Sequence, residues 1–153
     1  FWYGETRSGS EEETEQAGSD LARRLLARVA EGPVVLLYGE LGAGKTVFAR
    51  GFARGLGITE PVTSPTFPIV ESYFGYCLLR HLDLYRLATA ESVYAFGAEE
   101  YLGVPGALAL VEWPQRLGPV MPGNLLVSVE LRVPERSQRL IRMGSGALPA
   151  DVG

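Results

Sequence analysis

The sequence predicts a three-layer α/β/α domain whose central sheet is mixed and mainly parallel, with antiparallel additions. Two continuous apolar runs, residues 34–38 and 107–111, have the length and composition of strands buried on both faces of a parallel sheet. Residues 125–133 and 138–143 alternate between apolar and polar side chains, which is typical of an antiparallel pair. Helical segments separate these strands, and this alternation indicates an α/β sandwich.

The chain before the first buried strand predicts an arm followed by a helix. Residues 1–10 are polar after an aromatic start, and we expect a flexible arm or an edge strand there. Apolar side chains spaced four positions apart predict a helix over residues 11–31. Acidic side chains begin this helix, where its dipole favours negative charge, and Gly32-Pro33 ends it.

The middle of the chain predicts further alternation of strands and helices. A helix is expected over residues 45–56, and a hairpin is expected from residues 67–73 and 76–82. Residues 89–102 have helical character that Gly97 interrupts. These segments complete the predicted order of strands and helices.

Length and charge limit the class of protein. A chain of 153 residues fits one domain, expected over residues 11–143 with a loose tail at 144–153. The net charge of −4 argues against a protein that grips nucleic acid by its own surface charge. No apolar run approaches the roughly 18 residues that span a bilayer, so we expect a cytoplasmic protein.

A phosphate-binding motif lies between the first buried strand and the helix that follows it. Eight residues match G-x-x-x-x-G-K-[ST]: Gly39, Glu40, Leu41, Gly42, Ala43, Gly44, Lys45 and Thr46. Glycines let several backbone N–H groups converge on one anion, and the helix N-terminus adds partial positive charge. Lys45 is the only lysine in the chain, and every other residue of the Lys/Arg type is an arginine. The alternative, a glycine-rich turn without function, explains neither this lysine nor the threonine after it.

The motif therefore predicts a P-loop nucleoside triphosphatase that binds and hydrolyses ATP with Mg²⁺. Lys45 would reach the β- and γ-phosphates, and the Thr46 hydroxyl would bind Mg²⁺. Mg²⁺ also needs a carboxylate, for which Glu112 and Asp83 are candidates because each ends a predicted strand. Glu112 could instead be an acid that starts a helix, and Asp83 a strand-end residue paired with Arg86.

Two further features leave their roles open. His81 is the only histidine, and a single histidine is more often a hydrogen-bonded structural residue than a general base. The hydroxyl-rich segment 63–67 is either a turn that Pro65 holds or a loop that senses the γ-phosphate.

Four motifs, in the order in which they occur along the chain, resemble those of the TsaE family. Members of this family, also called YjeE, are the ATPases of bacterial tRNA threonylcarbamoyladenosine (t6A) synthesis. The four motifs are the phosphate loop, Ser64-Pro65-Thr66-Phe67, the run from His81 to Leu87, and Glu112-Trp113-Pro114. The resemblance implies that Glu112 is the magnesium-linked glutamate and that Asp83 is an acid linked to hydrolysis. It also implies that Glu11, Thr14 and Arg136 belong to the nucleotide pocket.

The resemblance implies partners as well. TsaE-like proteins bind a TsaB–TsaD heterodimer, so this chain would meet tRNA indirectly through that complex. We expect the chain by itself to be a monomer. Two other functions stay possible from the residues: a P-loop small-molecule kinase, and a nucleotide-gated binding module with negligible hydrolysis. Phosphoryl transfer to a metabolite would favour the kinase, and partner function without hydrolysis would favour the module.

Overall fold

The computed structural model describes residues 4–63, 69–87, 89–117 and 125–146. Seven strands in these residues form one sheet. The strands are β1 (Gly4–Ser8), β2 (Val34–Tyr38), β3 (Val70–Phe74), β4 (Leu78–Asp83), β5 (Ala107–Glu112), β6 (Leu126–Glu135) and β7 (Gln138–Ser145). The α-helices are α1 (Glu11–Leu26), α2 (Lys45–Gly55) and α3 (Ala90–Phe96).

The sheet has a parallel centre and antiparallel edges. Its strand order is β1-β7-β6-β2-β5-β4-β3. The four central strands β6, β2, β5 and β4 run parallel to one another, whereas β1, β7 and β3 are added antiparallel. This arrangement confirms the predicted mixed sheet. It also places the carboxyl ends of β2, β4 and β5 at one edge, where ligands of open α/β sheets bind.

Helices cover both faces of the sheet. Val35 and Leu37 of β2 point to the face on which α1 and α2 pack, and they belong to the larger core. Val34 and Leu36 point to the other face, where α3 and the turns around it close a second core. Since each buried strand contributes side chains to both cores, β2 and β5 contain continuous apolar runs. The predicted three layers are confirmed.

Three glycines let α1 and α2 approach closely. A Cβ atom at Gly18 would lie 2.3 Å from the Phe48 carbonyl oxygen, and one at Gly55 would lie 2.6 Å from the Ser19 carbonyl oxygen. At Gly51 the corresponding distance to the Glu15 carbonyl oxygen is only 1.9 Å. This contact places the N-terminus of α1 beside the phosphate loop that begins α2.

The Gly51→Ala variant is expected to lose stability. Its methyl group would overlap the backbone of α1 and force the two helices apart, which costs about 3 kcal/mol even though alanine favours helix. For a domain of this size we expect the melting temperature to fall by roughly 10 °C. Arg50→Ala, a change at a partly exposed side chain of the same helix, is the control and should shift it little. Equal melting temperatures for Gly51→Ala and wild type would contradict the close contact.

The first helix is shorter than predicted. It ends at Leu26, and residues Val29–Glu31 form a 3₁₀ turn instead of continuing to residue 31. The Val29 carbonyl accepts the N–H groups of Gly32 at 3.0 Å and Gly106 at 2.9 Å, and its α-helical partner would be Pro33, which has no N–H group to donate. By contrast, the predicted interruption at Gly97 is confirmed, because Gly97 has a φ of 83° between α3 and a 3₁₀ turn.

The hairpin and the chain end also differ from their predicted bounds. β3 and β4 are shifted toward the C-terminus because the Tyr76 N–H group donates to the Leu56 carbonyl at 2.7 Å, which holds the tip against the end of α2. Ser145, predicted in the loose tail, belongs to β7 and pairs with Val127. Residues 147–153 lie outside the described residues, and the division of the chain at 11 and 143 stays a prediction.

Candidate nucleotide-binding site

The phosphate loop connects the carboxyl end of β2 to the first turn of α2. Gly44 precedes the helix with a φ of 101°, and Gly42 has a φ of 82°. Any other residue would be strained in this left-handed region, so both positions require glycine for conformational reasons. The first N–H groups of an α-helix have no acceptor within the helix, which makes this turn suited to an anion.

Lys45 is buried without a hydrogen-bond acceptor for its ammonium group. The residue is 6% exposed, and within the described residues its Nζ atom has no hydrogen-bond partner. Nζ lies 4.2 Å from the centroid of the Trp113 ring. Burial lowers the pKa of Lys45, while the charges of Glu112 and Asp83 act in the opposite direction. A buried cation that lacks an acceptor is costly unless an anionic ligand supplies one.

The two predicted acids lie side by side at the same edge of the sheet. Asp83 of β4 is the register partner of Glu112 of β5, and Glu112 is also the partner of Leu37 of β2. Glu112 is 3% exposed, and its Oε2 atom lies 2.7 Å from Nε2 of the buried His81. The fold therefore brings Asp83 and Glu112 together, and both act electrostatically on Lys45.

Asp83 has a perturbed acidity. Burial raises the pKa of its carboxyl group above the usual range, and the charge of Glu112 acts in the same direction. The Tyr85 N–H group donates to Asp83 Oδ1 at 3.0 Å and lowers that pKa in part. Perturbed carboxyl groups beside a buried lysine are typical of catalytic sites.

The described residues provide oxygen ligands of the kind that Mg²⁺ prefers, but not a complete cage for it. No group of three or more His, Cys, Asp or Glu side chains suited to a metal ion occurs among them. Thr46 supplies a hydroxyl in the first turn of α2, and Glu112 supplies a carboxylate at the end of β5. Such a sparse oxygen set fits Mg²⁺, which in nucleotide sites keeps several waters and binds the phosphates.

A cavity of about 390 Å³ adjoins the phosphate loop. It brings the remaining predicted pocket residues, Glu11, Thr14 and Arg136, next to Thr46. Its other lining residues are Ser8, Ser10, Gly42, Gly44, Val47, Ser137 and Arg139. The Ser8 hydroxyl donates to the Ser10 carbonyl, so the Thr14 hydroxyl donates to Ser8 and can present acceptor lone pairs to the cavity.

Arg139 is a site residue that the sequence did not single out. Its guanidinium group donates to the Gly42 carbonyl at 3.3 Å, and to the carbonyls of Arg136 and Gln138 at 3.3 and 3.0 Å. These bonds tie the turn between β6 and β7 to the phosphate loop. Since Arg136 and Arg139 lie three residues apart in an arginine-rich chain, no sequence signal distinguishes their roles.

Trp113 is the second residue that the sequence left without a role. It has a φ of 56°, the only positive φ of a non-glycine residue among those described. One neighbour of its ring is the Lys45 ammonium, and another is the Tyr85 ring, whose centroid lies 4.9 Å away. Strained residues of this kind cluster at functional sites. Its position directly after Glu112 was the available signal.

The Arg139→Ala variant is expected to weaken nucleotide binding by about fivefold to tenfold. It removes the bond to the Gly42 carbonyl, worth about 1 kcal/mol or slightly more, and loosens the loop before any ligand binds. Titration calorimetry with ATP measures the change. Gln138→Ala is the control, since its side chain bonds Arg7 at the sheet edge rather than the phosphate loop. Unchanged ATP affinity in Arg139→Ala would contradict the role of this contact.

Two parts of the predicted site take no part in the contacts described above. The segment Ser64 to Phe67, for which a turn and a phosphate-sensing loop were both possible, lies outside the described residues. Glu40 and Leu41 are exposed on the phosphate loop, and Leu41 is 75% exposed. The side chains of these two loop residues therefore face away from the core.

In the part of the chain that the structure describes, no helix has the length and apolar character needed to cross a membrane.

Comparisons with known proteins show which family this chain resembles. The family model described as "Threonylcarbamoyl adenosine biosynthesis protein TsaE" matches residues 8–141. A TsaE protein of Treponema pallidum is 41% identical over 126 residues, which are 82% of this chain and 89% of that protein. One from Rickettsia bellii is 35% identical and covers 89% of this chain and 91% of its own length. The crystal structure of Bacillus subtilis YdiB matches with a TM-score of 0.71 at 30% identity, over 95% of this chain and 87% of that one.

Proposed function

The chain belongs to the TsaE family of tRNA threonylcarbamoyladenosine biosynthesis proteins, and we propose that within this process it is a magnesium-dependent ATPase. One observation carries the proposal. The buried ammonium group of Lys45 lacks a hydrogen-bond acceptor among the described residues, at the N-terminus of α2. A polyphosphate supplies that acceptor, and the glycine-rich turn supplies further donors.

The residues of the site divide the work of phosphoryl transfer to water. Lys45 and the loop N–H groups stabilise charge on the β- and γ-phosphates. Thr46 and Glu112 would hold Mg²⁺, which when bound neutralises charge on the phosphate oxygens. Asp83, next to Glu112 and with a raised pKa, positions and polarises the attacking water.

The cavity beside the phosphate loop would take the nucleoside. It adjoins Gly44 and Thr46, and its volume of about 390 Å³ is within the range of small-ligand pockets. Glu11, Thr14 and Arg136 line it and would contact the base or the ribose. These placements support the assignment of these three residues to nucleotide binding.

We further propose that the protein acts with a TsaB–TsaD heterodimer in the cytoplasm and contacts tRNA through that complex. Its net charge of −4 supports this division, since a chain that held tRNA alone would need a basic surface. Turnover by the isolated chain is expected to be slow, because the partner would complete the site.

The decisive experiment measures phosphate release from ATP by the chain alone, with TsaB–TsaD, and with TsaB–TsaD and tRNA. Stimulation by the complex, dependent on Mg²⁺, is the expected result. ATP binding without phosphate release in all three mixtures would instead favour a nucleotide-gated binding module. Transfer of a radiolabelled γ-phosphate to a metabolite rather than to water would favour a small-molecule kinase.

A further inference from the structure

His81 has one described polar contact, and that contact is with Glu112. The residue lies on β4 and is completely buried. Its Nε2 atom is 2.7 Å from Glu112 Oε2, which is itself buried. Its other ring nitrogen, Nδ1, has no hydrogen-bond partner in the described part of the chain. The imidazole is therefore held in the protein interior by a bond to the carboxylate at the end of β5.

The chemistry of the two groups sets the direction of this bond. A carboxylate can only accept hydrogen bonds, so the hydrogen must be on Nε2 of His81. Because β4 and β5 are adjacent parallel strands, His81 lies two residues before Asp83, the register partner of Glu112. The backbone thus fixes the donor on one side of the Glu112 carboxylate, while Asp83 lies beside it at the sheet edge.

We propose that His81 is a positioning residue, whose Nε2–H group holds the Glu112 carboxylate in the orientation that binds Mg²⁺. The inference rests on the proposed function and assigns a role to a residue that the ATPase chemistry does not otherwise use. Outer hydrogen-bond partners of this kind orient metal ligands, and their loss typically weakens metal binding roughly 10- to 100-fold. His81 itself contacts neither phosphate nor metal in this mechanism.

Two substitutions separate the donor from the bulk of the side chain. His81→Leu removes the donor and keeps an apolar side chain of similar size. His81→Gln keeps an amide N–H close to the position of Nε2, so it should rescue the bond to Glu112. Arg80→Leu is the matched control on the same strand, because the Arg80 guanidinium lies over the Tyr101 ring instead.

The measurement is the Mg²⁺ dependence of binding of a slowly hydrolysed ATP analogue. His81→Leu is expected to need roughly 10- to 100-fold more Mg²⁺, with unchanged affinity for the analogue in EDTA. His81→Gln and Arg80→Leu should stay within a few fold of wild type. A purely structural histidine would change thermal stability and leave the Mg²⁺ requirement as in wild type, which would overturn the proposal.

A second measurement needs no variant that could misfold. His81 is the only histidine, so nitrogen NMR of histidine-labelled wild-type protein reports this ring alone. We expect a protonated Nε2 whose resonance moves when Mg²⁺ and the analogue are added together. A ring protonated only at Nδ1 would overturn the inference. If wild-type protein binds the analogue with no Mg²⁺ dependence, the proposed magnesium-dependent function fails first, and this outcome is distinct from the other two.

Discussion

The Lys45→Met variant is expected to lose ATP affinity by roughly 100-fold or more. Two charge-assisted hydrogen bonds from an ammonium group to phosphate oxygens contribute about 1.5–3 kcal/mol each, and every 1.4 kcal/mol is a factor of about ten. Methionine preserves the apolar stem of the side chain, so the packing of α2 is retained. Titration calorimetry with ATP and with ADP measures the loss.

The same variant is expected to be more stable than wild type without nucleotide. Burial lowers the pKa of Lys45 in the folded protein, so the charged form is disfavoured there relative to the unfolded chain. Wild-type stability should therefore rise as the pH increases from the lowered folded pKa toward the ordinary lysine pKa of 10.5, and Lys45→Met should lack this rise. Thermal melts over a pH series test whether wild-type stability rises with pH as expected.

Arg54→Met is the control for both measurements. Arg54 is on the same helix, its side chain is 56% exposed, and it pairs with Glu15 rather than with the site. It should bind ATP normally and show the same pH dependence as wild type. If Lys45→Met retained the increase in melting temperature that ATP causes in wild type, the phosphate-binding role of Lys45 would be refuted.

The Glu112→Gln variant is expected to retain ATP binding in EDTA and to lose about 100-fold in turnover. The amide oxygen can still accept the hydrogen bond from His81, so the fold is preserved. The negative charge that would hold Mg²⁺ is gone, and metal stabilisation of the transition state is worth several kcal/mol. Phosphate release over a range of Mg²⁺ concentrations measures both turnover and the metal requirement.

Comparing Asp83→Asn with Glu112→Gln distinguishes the roles of the two acids. Asparagine can still accept the Tyr85 N–H bond, so this change removes charge and basicity alone. We expect turnover to fall while the Mg²⁺ requirement stays as in wild type. Because the folded pKa of Asp83 is raised, the stability it contributes is present at low pH and lost as the pH rises through that value. Asp83→Asn should therefore melt higher than wild type at neutral pH. An increased Mg²⁺ requirement in Asp83→Asn and not in Glu112→Gln would reverse the assignment.

Local patterns were sufficient for the elements with strong signals. The apolar run Val34–Tyr38 forms a strand with its predicted bounds, and the phosphate motif lies between a strand and a helix as predicted. The predicted end of α1 was wrong because 3₁₀ bonds from Glu31 to Arg28 and from Gly32 to Val29 replace α-helical ones. The hairpin bounds were wrong because Tyr76 bonds the carbonyl of the distant Leu56, a contact that no local window of sequence contains.

The sequence by itself determined the α/β class, the phosphate loop and the candidate acids, because these depend on residue type, spacing and the period of apolar side chains. Only the tertiary structure decided which side chains meet. It joined His81 to Glu112, set Trp113 against Lys45, and brought Arg139 to the phosphate loop. The physical reason is that strand order and register place residues from distant segments side by side, and that burial then sets the charge state and hydrogen-bond partners of each group.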